Sequence, residues 1–571
     1  MTDTYGIDFG TTNSVLARAN PQGVEAIALD RWLPGEWAGT GFDRLLPSVI
    51  GFAGGRPTFG WRAKRMNVDR LEAVKRLFAT DDTVRIGPQE LKVEEAAAMF
   101  FRHMQQEAAG AGLAARLDRA VVTIPANSRG VARYRTKLSA GLAGIEVTAL
   151  INEPTAAAMA HARQIGQDQR ILVFDWGGGT LDVTVLQSYQ GTFIEQASKG
   201  IQRLGGLDVD QAVMDALVPE LRGAQSWGTS ERNTFRLNLE RAKVELSSRE
   251  SAIVEVPRGG HVELTRQRFE RIVQPLIERT REPVEVCLRE SPGRIDHLVM
   301  VGGSSKMPVI ERFVSGLVGV PASRAVDPMT AIAEGAAIAA GILQGTITDL
   351  DFHVGTEHAL GTVVAAGGGS REKEFSVLIR RNTKYPARAT DGYVPALDFQ
   401  EEVNIQVIEG DPAKPIDHED NVIIKDWNIP LPEPRPIADA AFTITYEYDV
   451  DGILHVIAED TLTGALMMNE EVAFGAATDK SRLPAMRRRV DGLMGGADAP
   501  DAAAAPAGGA LSPESLAVLR KATEKVLPFV VDADRAALER LVGLLRGCAP
   551  HEEAEQREAL DRELRKHAYL L

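Results

Sequence analysis

Ile171-Leu-Val-Phe-Asp-Trp-Gly-Gly-Gly-Thr-Leu-Asp-Val-Thr-Val-Leu186 decides how the rest of the chain is read. An apolar run of β type ends in a carboxylate, Asp175. Gly177, Gly178 and Gly179 follow, then Thr180, then a second alternating run with Asp182 near its start. The pattern predicts a β-hairpin whose turn is the three glycines. With no side chains in the way, backbone N–H groups can converge on an anion, and phosphate is the obvious candidate. Asp175 would repel phosphate, but it can hold a hydrated Mg²⁺ or orient an attacking water. Standing alone, the same signal equally describes a tight turn beside an exposed carboxylate.

The same order recurs in Tyr5-Gly-Ile-Asp-Phe-Gly-Thr-Thr-Asn-Ser-Val-Leu16: strand, Asp8, a turn with Gly10, Thr11, Thr12 and Asn13, then a second strand. Two such hairpins predict two homologous halves closing on one nucleotide. No Gly-Lys dipeptide occurs, so the P-loop is excluded, and no G-x-G-x-x-G follows a strand.

The whole chain sets wider bounds. Its 571 residues suggest several domains, and 44% hydrophobic with 25% charged residues is ordinary for globular protein. A formal net charge of −15 argues against nucleic acid and against an anionic membrane surface as partners. Two cysteines, Cys287 and Cys548, make neither a disulfide framework nor a zinc site. The first residues lack a signal-peptide pattern, and no apolar run approaches the roughly 18 residues of a membrane span, so a cytoplasmic protein is expected. Apolar spacing predicts helices over 67–78 and 93–110 and from Glu153 onward, and a small-residue helix over 335–343. Strands are expected at 47–52, 120–124, 403–408 and 442–448, with a hairpin turn at Asp451-Gly452. Residues 17–60 are rich in Gly, Pro and Trp. The Ala/Pro/Gly stretch 495–510 reads as a tether, and Ser512-Pro513 as a helix start ahead of helices over 535–545 and 551–569.

The two hairpins resemble those of the actin-like ATPase fold. Further stretches narrow the likeness: Ala120-Val-Val-Thr-Ile-Pro-Ala126, Ile151-Asn-Glu-Pro-Thr-Ala-Ala-Ala158, Leu204-Gly-Gly-Leu-Asp208, Glu240-Arg-Ala-Lys-Val-Glu-Leu-Ser-Ser248, Val301-Gly-Gly-Ser-Ser-Lys-Met-Pro308 and Asp449-Val-Asp-Gly-Ile-Leu-His-Val456. Together they resemble the DnaK-type heat-shock chaperones (the heat shock protein 70 family), collinearly over roughly residues 4–475. The resemblance implies a multidomain chain. An α/β actin-like ATPase domain of two halves would occupy 1–346 and a linker 347–356. An all-β peptide-binding sandwich would occupy 357–475 and a short helical lid-like region 476–571. It implies slow ATP hydrolysis coupled to binding of apolar segments of unfolded or client polypeptides.

By the same resemblance, Lys75, Asp8, Glu153, Asp175 and Thr180 serve hydrolysis. Gly10 to Asn13, Gly177 to Gly179, Gly205, Gly206, Gly302, Gly303 and Ser304 would hold ATP or ADP. Glu240, Lys243 and Ser247 would take the ribose and adenine edge, and Lys306 would stack on adenine. Asp8, Asp175 and Asp182 would serve Mg²⁺ and K⁺. Pro125 and Arg133 match an allosteric switch, and Val403 and Ile405 match peptide-pocket positions. A J-domain co-chaperone and a nucleotide exchange factor are implied as partners.

The chain departs from the family pattern at Lys306 (usually Arg), at Met329 (usually the Asp that helps hold K⁺), and at Ala149 and Val354, where J-domain docking residues stand. Its linker, Thr348-Asp-Leu-Asp-Phe-His-Val354, is more polar than the usual leucine run. These departures favour a competing reading, a nucleotide-regulated binding protein with negligible turnover dedicated to one client.

Overall fold

The structure is a computed structural model of the full chain. It describes residues 3–495, with breaks of which 351–355, 366–371, 449–453 and 473–481 are the longest, and parts of 512–566. The chain divides into two compact units, 1–494 and 495–571.

Two sheets of matching design carry the first unit. In the first, strand Thr4–Asp8 pairs antiparallel with Asn13–Asn20, which pairs antiparallel with Gly23–Ile27. On its other side Thr4–Asp8 runs parallel to Arg119–Ile124, which runs parallel to Glu146–Asn152. In the second, Arg170–Trp176 pairs antiparallel with Leu181–Tyr189, which pairs antiparallel with Thr192–Ile201. Again the first strand runs parallel to a later one, His297–Val301. Both predicted hairpins are therefore present, each as the start of an antiparallel meander flanked by parallel crossovers. The central strands read as unbroken apolar runs because helices cover them; Ile171, Leu172, Val173 and Phe174 are all fully buried.

Helix Ala331–Leu343, nearly all Ala, Gly and Ile, packs on Thr4–Asp8 and on helix Glu153–Ile165. Its small residues allow backbone to touch backbone. A β-carbon on Gly6 would stand 2.1 Å from Ala337 N, and one on Gly335 only 1.8 Å from Ala156 O.

The helix over 93–110 has its expected bounds, Val93–Gly110. The helix expected over 67–78 does not form: a short strand Arg70–Glu72 is followed by a 3₁₀ helix Val74–Ala79. Ala73 between them stands at φ 57°, a left-handed conformation that ends any helical run. Residues 67–69 lie outside the described residues.

Residues 359–472 form two four-stranded antiparallel sheets. One orders Lys373–Ile379, Ala359–Ala365, Glu402–Gly410 and Val422–Pro430; the other Ala387–Tyr393, Phe442–Tyr448, Leu454–Asp460 and Leu466–Glu471. Val403, Ile405, Val407, Ile444, Tyr446 and Val456 lie in their shared core. The Tyr446 hydroxyl donates to Gly361 O at 2.7 Å, so the one polar atom of that large side chain is satisfied. The Asp451-Gly452 turn lies outside the described residues, but Tyr448 opposes Leu454 as a hairpin there requires.

The region expected to be a lid from 476 is divided. Helix Leu483–Met494 belongs to the first unit. Its Met486, Val490 and Met494, four apart on one face, enter the same apolar core as Phe100 and Phe101. Arg102 pairs with Asp491 at 2.5 Å and Arg489 with Glu95 at 3.4 Å. In the second unit, helices Asp532–Gly547 and Glu553–Lys566 share a core of Leu519, Leu538, Leu545, Leu560 and Leu564. Ser512 Oγ accepts from the Ser515 amide at 3.3 Å, as an N-cap does. Pro513 and the tether at 496–510 lie outside the described residues.

Gly335→Ala is expected to lower stability by about 3 kcal/mol, the upper end for overpacking. The urea midpoint of the full chain measures this, and an unchanged midpoint would mean the helix can slide away from Ala156.

Candidate functional site

The two hairpin turns meet beside a cleft that both line, Gly178 lying against Thr12 and Gly179 against Thr11, and each is braced from behind. Ser48 donates its amide to Thr12 O and its hydroxyl to Gly10 O, both at 2.8 Å. Gly206 and Leu207 donate their amides to Gly177 O at 3.0 Å and Gly178 O at 2.9 Å, and Ser304 Oγ donates to Gly177 O at 2.9 Å. A trans peptide points its N–H opposite to its C=O. The N–H groups of Thr11 and Asn13, and of Gly178 and Gly179, are therefore directed away from those braces. All four residues line the cleft. This is a backbone anion cradle in duplicate. Gly205 is pressed on the second turn, where a β-carbon would stand 2.4 Å from Gly178 C.

Three carboxylates and one ammonium occupy the cleft floor. Lys75 Nζ lies 2.6 Å from Glu153 Oε1, with both side chains about nine-tenths buried. Glu153 opens helix Glu153–Ile165, with Pro154 in its first turn. Asp8 ends its strand and accepts from Thr123 Oγ1 at 3.1 Å. Asp175 is the last residue but one of the corresponding strand of the other half, opposite Asp182 in register. Burial, then the neighbouring Glu153, pushes the Asp8 carboxyl up to about 7, with Lys75 opposing. Burial, Glu153, Asp182 and Asp8 hold Asp175 well above the usual carboxylate range. One cation cannot neutralise this set, so the floor favours an added cation. All its donors are hard oxygens, the chemistry that suits Mg²⁺. Among the described residues no group of three or more His, Cys, Asp or Glu is arranged to hold a metal ion by itself.

A second, larger cavity of about 600 Å³ continues from the first, sharing Thr12, Asn13, Gly178, Gly303 and Met329 as walls. Glu240, Lys243, Ser247, Ser304 and Lys306 line it. Glu240 and Lys243 come from helix Thr229–Glu245, with Ser247 just beyond its end. Lys243 pairs with Asp210 at 2.7 Å. Burial raises the Glu240 carboxyl, but Lys64 and Lys243 outweigh it and hold the group below its ordinary value. Met329 presents a thioether to this space, with its amide held by Asp327 Oδ1 at 3.0 Å.

The expected residues are thus brought together in one place, with stated exceptions. Pro125 lines the floor. Arg133 is buried in helix Gly130–Leu142 and acts electrostatically on Glu195. Val403 and Ile405 are 6% and 1% exposed in the sandwich core. Exposed apolar side chains on that domain are Val394, Leu397 and Phe399, 56%, 69% and 62% exposed, in one stretch of sequence, with Leu462, Leu466 and Ile423 exposed elsewhere on it.

Other residues escaped the sequence reading. Arg76 Nη2 donates to Gly179 O and to Asp208 Oδ2, the latter at 3.2 Å, locking the second turn. Its neighbour Lys75 drew the attention, and nothing in the spacing marks the second cation. Lys64 reaches 2.7 Å from Glu240 across the cleft, a contact between residues 176 apart in sequence.

The Hsp70 protein family model matches residues 75–489. The chain is 34% identical over 486 residues to the chaperone protein DnaK of Thermotoga neapolitana, covering 80% of this chain and 78% of that one. It is 34% identical over 477 residues to that of Mycoplasmopsis synoviae, covering 80% and 77%. With that of Cenarchaeum symbiosum it shares 34% over 483 residues, covering 81% and 71%.

The floor's charge has a pH consequence. Folded Asp8 keeps its proton to about pH 7, whereas an unfolded aspartate releases it near 4. The folded state therefore binds more protons in that window, and this group makes stability fall as pH rises through it. Without nucleotide, Asp8→Asn should raise the melting temperature more at pH 8 than at pH 5. Equal gains at both pH values would remove Asp8 from the repulsive set.

Proposed function

This chain belongs to the Hsp70 family, and it is an ATP-hydrolysing chaperone; on that premise we propose how its residues divide the work. The carrying observation is the Lys75–Glu153 pair set between Asp8 and Asp175 beneath two braced glycine turns. ATP would lie with its phosphates between the turns and its base in the larger cavity. The domains would run 1–346, 347–356, 357–475 and onward. Helix Leu483–Met494 would be the part of the C-terminal region that docks on the first domain.

Hydrolysis of the γ-phosphoryl group asks the protein chiefly for position and charge. Lys75 would face the charge that grows on the γ-phosphoryl oxygens. Asp8, Glu153 and Asp175 would orient the water through their lone pairs, and Thr180 would hold the phosphate side of the turn. Asp8 and Asp175 would hold Mg²⁺, which would supply charge neutralisation for the phosphates. Asp182 would add a carboxylate for K⁺, with Met329 contributing none. Arg76 would stiffen the cradle from behind.

Contacts between the ATPase part and the sandwich include two between charged or polar groups. Glu195, buried among Asn152 and Arg133, meets Arg381 of the sandwich at 3.4 Å. Glu409 of the sandwich accepts from the Gly130 amide at 3.3 Å, where the helix carrying Arg133 begins. These would carry nucleotide state from Pro125 and Arg133 outward. Client segments would bind at the end of the sandwich that exposes Val394, Leu397 and Phe399, above the core holding Val403 and Ile405. The loops there brace one another. Phe399 donates its amide to Arg435 O at 2.8 Å, and Arg435 Nη2 pairs with Asp460 at 2.5 Å. A J-domain partner would meet a changed surface, since Ala149 is buried; Val354 lies outside the described residues.

Lys75→Ala should slow single-turnover hydrolysis on the order of a hundredfold, about 3 kcal/mol, while ATP still binds. Unchanged hydrolysis would exclude Lys75 from the chemistry. ATP should weaken the affinity for a labelled apolar peptide by about fivefold relative to ADP, the low end for allosteric coupling. Arg381→Ala should narrow that ratio toward one, whereas an undiminished ratio would show that coupling takes another route. Leu397→Asp with Phe399→Asp should weaken peptide binding roughly tenfold or more in both nucleotides. Peptide affinity equal to the parent's would put the client elsewhere.

A further inference from the structure

Residues 31–45, the Trp-rich part of the early sequence, run between strands Gly23–Ile27 and Leu46–Pro47 of the first sheet. Their central stretch, Gly35-Glu-Trp-Ala-Gly-Thr-Gly-Phe42, lies on the larger cavity: Glu36, Ala38, Gly39, Thr40 and Phe42 form one wall. The facing wall, with Glu240, Lys243, Ser247 and Lys306, belongs to the other half. A β-carbon built on Gly41 would stand 3.4 Å from Lys306 Nζ, so the stretch reaches the cation on the other half.

The stretch is also anchored. Trp37 is 2% exposed, and its ring centroid lies 4.8 Å from those of both Phe42 and Trp61. Lys64 Nζ stands 5.0 Å over the Trp61 ring while pairing with Glu240 at 2.7 Å. Thr40 Oγ1 donates to Trp37 O at 2.6 Å, and Asp43 Oδ1 accepts from the Gly39 amide at 3.3 Å. Gly39 and Gly41 take φ of 73° and 91°, conformations that let the chain fold back on itself at low steric cost. Glu36, the only charged side chain of the stretch, shares the cavity with Lys306 and Arg249. A fixed, aromatic-rooted loop thus faces the wall that carries Lys306 and Arg249.

We propose that residues 35–42 are a strap over the nucleobase end of the cleft, contacting bound nucleotide from the half opposite Lys306 and setting how fast a nucleoside diphosphate leaves. The proposal rests on the reading that the base occupies this cavity. The base then sits between two walls that must part before it escapes. The strap also supplies contact area where Lys306 replaces a better-stacking guanidinium. Release is the step affected, because differences between related complexes fall mostly on the dissociation rate.

The test uses the full chain loaded with radiolabelled ADP and chased with excess unlabelled ADP. Ala38→Gly with Thr40→Gly loosens the strap without touching its aromatic anchors, and Phe42→Ala removes one anchor. Both should release ADP roughly tenfold faster than the parent. If Phe42→Ala fails to fold, judged by its melting curve, the glycine pair still carries the test. Ser247→Trp fills the cavity from the opposite wall and should weaken ADP binding roughly tenfold. If Ser247→Trp weakens binding but the strap variants release ADP at the parent's rate, the strap is overturned and the cavity keeps the base. If Ser247→Trp binds ADP like the parent, the base lies elsewhere and both readings fall.

Discussion

No β-carbon fits at Gly6, where strand Thr4–Asp8 meets helix Ala331–Leu343, or at Gly335 of that helix, where it meets Ala156 of helix Glu153–Ile165. That approach, backbone to backbone, fixes where Asp8 and Glu153 stand, because one ends the strand and the other begins the helix. The same economy recurs at the turns, where Gly205 meets Gly178. Side chains bend and change rotamer, but backbone packed on backbone leaves little to adjust. The carboxylates are therefore held by elements that cannot drift apart separately. Preorganised catalytic charge requires that.

The charge those elements hold is unbalanced on purpose of chemistry rather than of stability. Asp8, Glu153 and Asp175 share Lys75, and burial raises two of the carboxyls. Free phosphate would meet repulsion there. A phosphate chain arriving with a divalent cation would bring the missing positive charge, so the floor would discriminate by net charge and the amide cradles by shape. Farther along the cleft the balance differs: Glu240 and Asp210 are matched by Lys64 and Lys243, and that wall is self-sufficient.

Much of this was legible in the sequence because local rules and global fold agree there. Two Gly turns after apolar strands announced the hairpins, and the helix over 93–110 and the strand over 442–448 have the bounds their periodicity predicts. The failures share a cause. Lys75 sits on a 3₁₀ turn rather than a helix, because Ala73 adopts a positive φ that no propensity anticipates. Arg76, Lys64 and Arg381 act through partners far away in sequence, and spacing carries no trace of such contacts. Helix Leu483–Met494 falls in the stretch expected to belong to the lid-like region, but its apolar face is complemented by Phe100 and Phe101 nearly 400 residues earlier. Val403 and Ile405 alternate as either a core or a pocket would, and their pattern alone could not assign them.

The aromatic root of the strap also makes the cleft optically self-reporting. Trp37 and Trp61 lie with ring centroids 4.8 Å apart, and the Lys64 ammonium stands over both, 5.9 Å and 5.0 Å from their centroids. Indole emission responds to such a charge and to the spacing of a neighbouring ring. Any parting of the two halves that draws Lys64 toward Glu240 and away from Trp61 would change the protein's own fluorescence. Opening of the cleft would then be visible with no label attached.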